Sequence, residues 1–188
     1  MTPPAVLVHR DQDLLAKAAA ARLVTRIVDV QAARGSASVV LTGGGVGTAV
    51  LAALAATGAR DAIDWRRLDV WWGDERFLPS GDPERNETGA RAALLDHVDL
   101  DPARVHPMPA SDGPDGDDVE AAAERYAAEL RAAARPEDHG PVPSFDVLML
   151  GVGPDAQLGD VADPPGRGDD VVRADGTVER VGVAAAHQ

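Results

Sequence analysis

Residues 37–47 read ASVVLTGGGVG, and this stretch decides the fold. Residues 37–42 form a short apolar run, the pattern of a strand buried on both faces. The run passes without a linker into Gly43-Gly44-Gly45-Val46-Gly47 and then into a helical stretch ending near Gly58. Strand, glycine turn and helix in direct succession are the first half of a βαβ unit. Glycines at such a turn let backbone amides face an anion, and the helix N-terminus adds partial positive charge. The same residues also suit a tight turn that binds nothing. Gly43 and Gly45 match the first positions of a dinucleotide fingerprint, but Thr48 stands where the third glycine belongs. A Walker-type loop is excluded, because no Gly-Lys-Ser/Thr follows.

Working outward, residues 11–33 carry Leu14, Leu15, Ala18, Leu23, Ile27 and Val28 at helical spacing, with Asp11 as N-cap and Gly35 as stop. Residues 5–9 (AVLVH) read as a strand before that helix. Downstream, residues 68–72 (LDVWW) predict a strand, followed by a polar loop with Pro79, Gly81 and Pro83 and a helix over about 87–96. A short strand at 105–108, an acidic loop at 110–118 and a helix over 119–134 come next. Residues 145–150 (FDVLML) predict the last strand, which runs into Gly151-Val152-Gly153-Pro154-Asp155. Strands alternating with helices imply a mainly parallel sheet covered on both faces, with ligands at the carboxyl ends of the strands. The glycine turn, the loop after Trp72 and the loop after Leu150 all fall there.

The chain has 188 residues, one domain's worth, with 18 basic and 31 acidic residues and a net charge of −13. This balance argues against nucleic acid and anionic membranes as partners, whose binding rests on a basic surface. It does not exclude one phosphate held by a few amides and an arginine. Hydrophobic residues make up 45% but aromatics only 3%, so the core is built from Ala, Val and Leu. Cysteine is absent, which removes disulfides and thiolate chemistry. No apolar run reaches the length of a membrane span, and residues 1–10 lack a signal-peptide layout. A soluble, cytoplasmic α/β protein is expected. His9, His97, His106, His139 and His187 show no metal-ligand spacing, and no Gly-x-Ser-x-Gly occurs. The histidine spacing offers no metal site, and no oligomeric state is favoured.

Chemistry concentrates in Trp72-Gly73-Asp74-Glu75-Arg76 and Glu84-Arg85-Asn86. With Lys17 the only lysine, a phosphate grip must use arginine, and Arg76 suits a bidentate contact. Asp74 and Glu75 either orient that arginine and bond a sugar hydroxyl, or form an internal ion-pair network that pins the loop. Asp155 either orients a catalytic base or caps a following helix.

The three segments, in this order, resemble the 6-phosphogluconolactonase family, and the resemblance covers about residues 5–155. Low lysine with abundant Ala, Arg, Gly and Pro also points to a GC-rich bacterial genome such as an actinobacterium's. The resemblance implies a Rossmann-like three-layer α/β/α fold, incomplete at the C-terminus, shared with sugar-phosphate isomerases and deaminases. It implies hydrolysis of 6-phospho-D-glucono-1,5-lactone to 6-phosphogluconate without a cofactor. Gly43, Gly44, Gly45, Asp74, Glu75, Arg76 and Asn86 would bind the phosphorylated sugar, and Asp155 would orient the base. In the family the last turn continues Gly-Pro-Asp-Gly-His, whereas here Gln157 takes the position of the catalytic histidine. The alternative function is a non-catalytic sugar-phosphate-binding remnant. Residues 1–155 form the sugar-phosphate domain in this reading. Residues 156–188 form a divergent tail, either disordered or a hairpin about Asp175-Gly176, arising by an altered reading frame or by natural divergence.

Overall fold

The computed structural model describes residues 6–138, 140–151 and the backbone of 171–173. Helix α1 (Gln12–Arg34) starts where the Asp11 side chain accepts the Leu14 amide at 2.8 Å. It stops where Gly35 adopts φ 81°, a left-handed conformation that a side chain would strain. Strand β1 (Ala37–Leu41) follows, then α2 (Gly44–Ala56), β2 (Leu68–Trp72) and β3 (Asp74–Arg76). The remaining elements are α3 (Asn86–Ala93), β4 (Val105–His106), α4 (Val119–Ala133), β5 (Val147–Leu148) and β6 (Val171–Arg173).

Strands β4-β2-β1-β5 form one parallel sheet in that order. Successive residues of a strand point to opposite faces, yet Val39, Val40 and Leu41 are all buried, as are Val70, Trp71 and Trp72. Both faces of the sheet are therefore covered. After β1 the chain moves to β2 on one side, and after β4 it crosses to β5 on the other. The carboxyl end of β1, between these two directions, is the switch point at which such sheets take ligands. Asp146 secures the β5 side: its carboxylate accepts the Ser38 amide at 2.9 Å and pairs with Arg34.

Where the β4 ladder ends, one side chain completes it. The Tyr126 hydroxyl accepts the Trp72 amide at 3.1 Å and donates to the Trp72 carbonyl at 3.0 Å. Burial pushes this phenol's pKa up, so it stays protonated and able to donate. Beside it, His106 stacks on Trp71 with ring centroids 3.8 Å apart. Its Nδ1 lies 2.7 Å from Glu129 of α4, and its Nε2 lies 3.7 Å from Asp69 of β2, which Arg104 also holds at 2.7 Å.

Several expectations need correction. Residues 6–9 form no strand: Val6 and Val8 are 84% and 83% exposed, and no described strand edge pairs with them. Apolar composition alone does not make a strand without a ladder to join. Residues 74–76, expected as loop, form β3, which pairs antiparallel with β6. The helix expected over 87–96 ends at Ala93 and continues as a 3₁₀ turn, Leu95–His97. The strand expected over 145–150 is reduced to Val147–Leu148. The boundary at 155/156 and the turn at Asp175-Gly176 lie outside the described residues. No helix among the described residues is long and apolar enough to cross a membrane.

Two predictions follow from these contacts. Tyr126→Phe leaves a buried amide and carbonyl of Trp72 unpaired, so urea unfolding should show a loss of about 1–3 kcal/mol. For His106, burial lowers the pKa, but the hydrogen bonds and charges of Asp69 and Glu129 outweigh it and raise it above 6.5. A raised histidine pKa stabilises fully below the unfolded value, and that contribution is lost as pH rises through the folded one. Tm should fall as pH is raised from about 6 upward, and the slope should flatten in His106→Asn.

Candidate functional site

The three informative segments meet at the carboxyl end of β1. The Gly73 amide donates to the Leu41 carbonyl at 3.2 Å, which brings the turn after β2 alongside the turn after β1. Gly151, after β5, sits so close that a Cβ there would lie 3.4 Å from Thr42 Oγ1. Asn86, the first residue of α3, lies against Gly43: a Cβ on Gly43 would fall 1.6 Å from Asn86 Oδ1. Its Nδ2 donates to the Asp74 carbonyl at 3.0 Å. Only glycine fits at 43, because the space a side chain needs holds a tethered amide.

The glycine turn is tighter than expected. Helix α2 already begins at Gly44, so most of the turn is the helix's first turn. Gly43 is the N-cap and offers no side-chain acceptor, and no acidic residue stands in that first turn. Gly44 and Gly45 are exposed. Further in, a Cβ on Gly47 would meet the Thr42 carbonyl oxygen at 2.5 Å, so a glycine there lets α2 press against the end of β1.

Strand β3 divides its side chains between two faces. Asp74 and Arg76 are half-buried on one, and Glu75 is 1% exposed on the other. Glu75 Oε1 accepts the Arg76 amide at 2.8 Å and the Asn86 amide at 2.6 Å, and Oε2 accepts the Glu87 amide at 2.9 Å. The guanidinium of Arg85, also 1% exposed, lies 3.6 Å from the same carboxylate and 3.3 Å from Glu87. Burial raises the Glu75 pKa, against the opposing pull of these amides and of Arg85.

The model of the glucosamine-6-phosphate isomerase/6-phosphogluconolactonase family matches residues 10–158. The chain belongs to that family. It is 70% identical over 155 residues to a protein of Streptomyces coelicolor named 6-phosphogluconolactonase, a match covering 82% of this chain and 59% of that one. A Mycobacterium leprae protein of the same name is 47% identical over 153 residues, covering 81% of this chain and 60% of its own. The chain thus spans about three fifths of the length of these relatives. The crystal structure of the Trypanosoma brucei 6-phosphogluconolactonase matches with a TM-score of 0.73 at 26% identity, over 89% of this chain and 66% of that one. A monomeric glucosamine-6-phosphate deaminase, 19% identical with a TM-score of 0.64, shares the fold over 81% of this chain and 56% of its own.

Within this family member, Gly43, Gly44, Gly45, Asp74, Arg76 and Asn86 are gathered at one end of the sheet. Glu75 is turned inward, and its carboxylate makes the pinning network, one of the two arrangements the sequence allows. Asp155 and Gln157 lie outside the described residues. Among the described residues, no three His, Asp or Glu side chains are grouped to hold a metal. The sequence placed Arg85 in a motif without a role, and Tyr126 in none. The signal for Arg85 was its place between β3's acids and Asn86. That for Tyr126 was being the only tyrosine of the chain, in a helix made mostly of alanine and charged residues.

Gly43→Ala should expel the Asn86 amide and break its bond to Asp74, at a cost of about 1–3 kcal/mol in urea unfolding. In an Asn86→Ala background the same substitution should cost clearly less, because the clash is gone, and a double-mutant cycle reads that coupling.

Proposed function

We propose that the chain binds a phosphorylated sugar acid at the carboxyl end of β1 and serves the hydrolysis of 6-phospho-D-glucono-1,5-lactone to 6-phosphogluconate. This is a cytoplasmic step of the pentose phosphate pathway. The observation that carries the reading is the convergence of an uncapped glycine N-terminus with Asn86 and Asp74 at the switch point of the sheet, with Arg76 on the same face of β3 as Asp74. The names of the relatives at 70% and 47% identity support the same substrate.

In this proposal the amides of Gly44 and Gly45 and the Arg76 guanidinium take the phosphate, which needs hydrogen-bond donors and positive charge. Asp74 and Asn86 lie beside it, suited to sugar hydroxyls. Water attacks the lactone carbonyl, a general base removes its proton, and donors stabilise the tetrahedral oxyanion. No metal or organic cofactor enters these steps. Asp155 is proposed to orient the base.

Gln157 favours a second reading. A glutamine amide takes up no proton near neutral pH, so the position expected to supply the base supplies none. Losing a general base costs about 10²–10⁴-fold in rate. The second reading is a sugar-phosphate-binding protein without turnover.

Calorimetry with 6-phosphogluconate tests binding. Arg76→Ala should weaken it about 10- to 100-fold, the loss of a charge-assisted phosphate contact. If neither chain binds, the glycine turn is a turn only. Lactone hydrolysis measured above the spontaneous rate then separates the readings: excess turnover supports the hydrolase, and binding without it supports the second reading.

A further inference from the structure

We propose that Glu75 and Arg85 are positioning residues for the sugar-phosphate site, acting through the backbone of Arg76 and Asn86 and touching no ligand themselves. The proposal rests on the sugar-phosphate reading above. Its geometric basis is the convergence of three amides from two separate segments on one buried carboxylate. Arg76 belongs to β3, while Asn86 and Glu87 open α3. The intervening loop, residues 77–85, is thus fastened at both ends to the same two oxygens.

Helix α3 has no side-chain cap from its own N-cap residue, Arg85. Glu75 supplies the missing acceptor from outside the helix, satisfying amides that would otherwise lie unpaired. Arg85 secures the carboxylate from the other side. Its Nη2 donates to the Met108 carbonyl at 2.8 Å and its Nη1 to the Leu78 carbonyl at 3.2 Å, which spread its charge over the loop. Glu87 is in turn held by Arg91 at 2.8 Å, so Glu75, Arg85, Glu87 and Arg91 form a balanced chain of charges.

Two helix N-termini therefore meet at the site, in opposite states. That of α3 is filled by the protein's own carboxylate; that of α2 has neither a side-chain cap nor an acid in its first turn. Asn86 hangs from the first turn of α3 and packs on the N-cap of α2, so the state of Glu75 sets how Asn86 meets Gly43 and Asp74. Protonating Glu75 weakens its acceptance of the three amides. Among the described residues, the charged and titratable groups facing it are Arg85 from the loop, Glu87 from α3 and Tyr126 from α4. Because burial favours the neutral carboxyl here, acidification does not unfold the chain through this group, and its effect is read at the site.

The test uses the full chain. In a pH series, the backbone amide resonances of Arg76, Asn86 and Glu87 should move together with one midpoint above the ordinary carboxylate range. In Glu75→Gln, folded by its cooperative thermal transition, those movements should vanish and the Kd for 6-phosphogluconate should rise about tenfold at neutral pH. Between pH 7.5 and about 5.5, wild-type affinity should fall more steeply than that of the variant, which reports only the ligand's own phosphate ionisation near pH 6. Amides that titrate separately overturn the proposal, and so does a variant that binds as well as wild type. Wild type that binds no 6-phosphogluconate overturns the sugar-phosphate reading itself, and the positioning role with it.

Discussion

A carboxylate almost wholly removed from water must be paired, or the desolvation cost drives it neutral or unfolds its surroundings. Glu75 meets that requirement with three backbone amides and one guanidinium. The requirement is also what orders the rest of the site. Because the amides come from β3 and from the start of α3, satisfying the charge brings these elements together. Because Arg85 must reach the same carboxylate, the loop between them folds back and anchors on the Leu78 and Met108 carbonyls. Asn86 then has one place to go, between the Asp74 carbonyl and the α-carbon of Gly43. The glycine turn is shaped as much by this neighbour as by any ligand.

The sheet provides the platform on which this constraint acts. Parallel pairing of β1 with β2 places Leu41 opposite Trp72, so their following turns emerge side by side. Strand β5 is short, but Asp146 ties its start to Ser38, and the Met149 amide still donates to the Val40 carbonyl at 2.9 Å. The turn after β5 therefore begins next to Thr42. On the far side, β4 is too short to pair with Trp72, and a tyrosine hydroxyl takes over both backbone groups. Each of these devices solves the same problem, a buried backbone group that the ladder leaves without a partner.

This division explains what the sequence discloses and what it hides. Helix α1 was legible because its signals are local: Asp11 caps it, Gly35 ends it, and a repeating apolar face fills the span between. The unit of β1, glycine turn and α2 was legible for the same reason. Residues 6–8 misled because VLV has strand composition but no ladder among the described residues. Strand β3 escaped because Asp-Glu-Arg is polar, and only its pairing and the buried Glu75 make it a strand. The inward turn of Glu75 follows from partners at positions 85–87, and Tyr126 acts on a residue 54 positions away. No window of sequence contains such pairs. The motif picked out these residues without telling which would touch a ligand and which hold the others in place.

In the proposed reaction, binding and proton transfer come from different parts of the chain. The amides, Arg76, Asp74 and Asn86 all lie on the β1–α2 and β2–α3 connections, which Glu75 and Arg85 lock together. Position 157 follows β5 in sequence and belongs to neither of these connections. In that proposal, glutamine at this position offers no base, because an amide takes up no proton near neutral pH. The net charge of −13 is compatible with an anionic ligand for a related reason. Two of the acidic groups on the β2–α3 connection are committed, Glu75 to three amides and Glu87 to two arginines. That leaves the glycine amides at the N-terminus of α2 with their partial positive charge unopposed by any acid in its own first turn. In the proposed reading, affinity for a phosphate would be a property of local arrangement, separable from turnover.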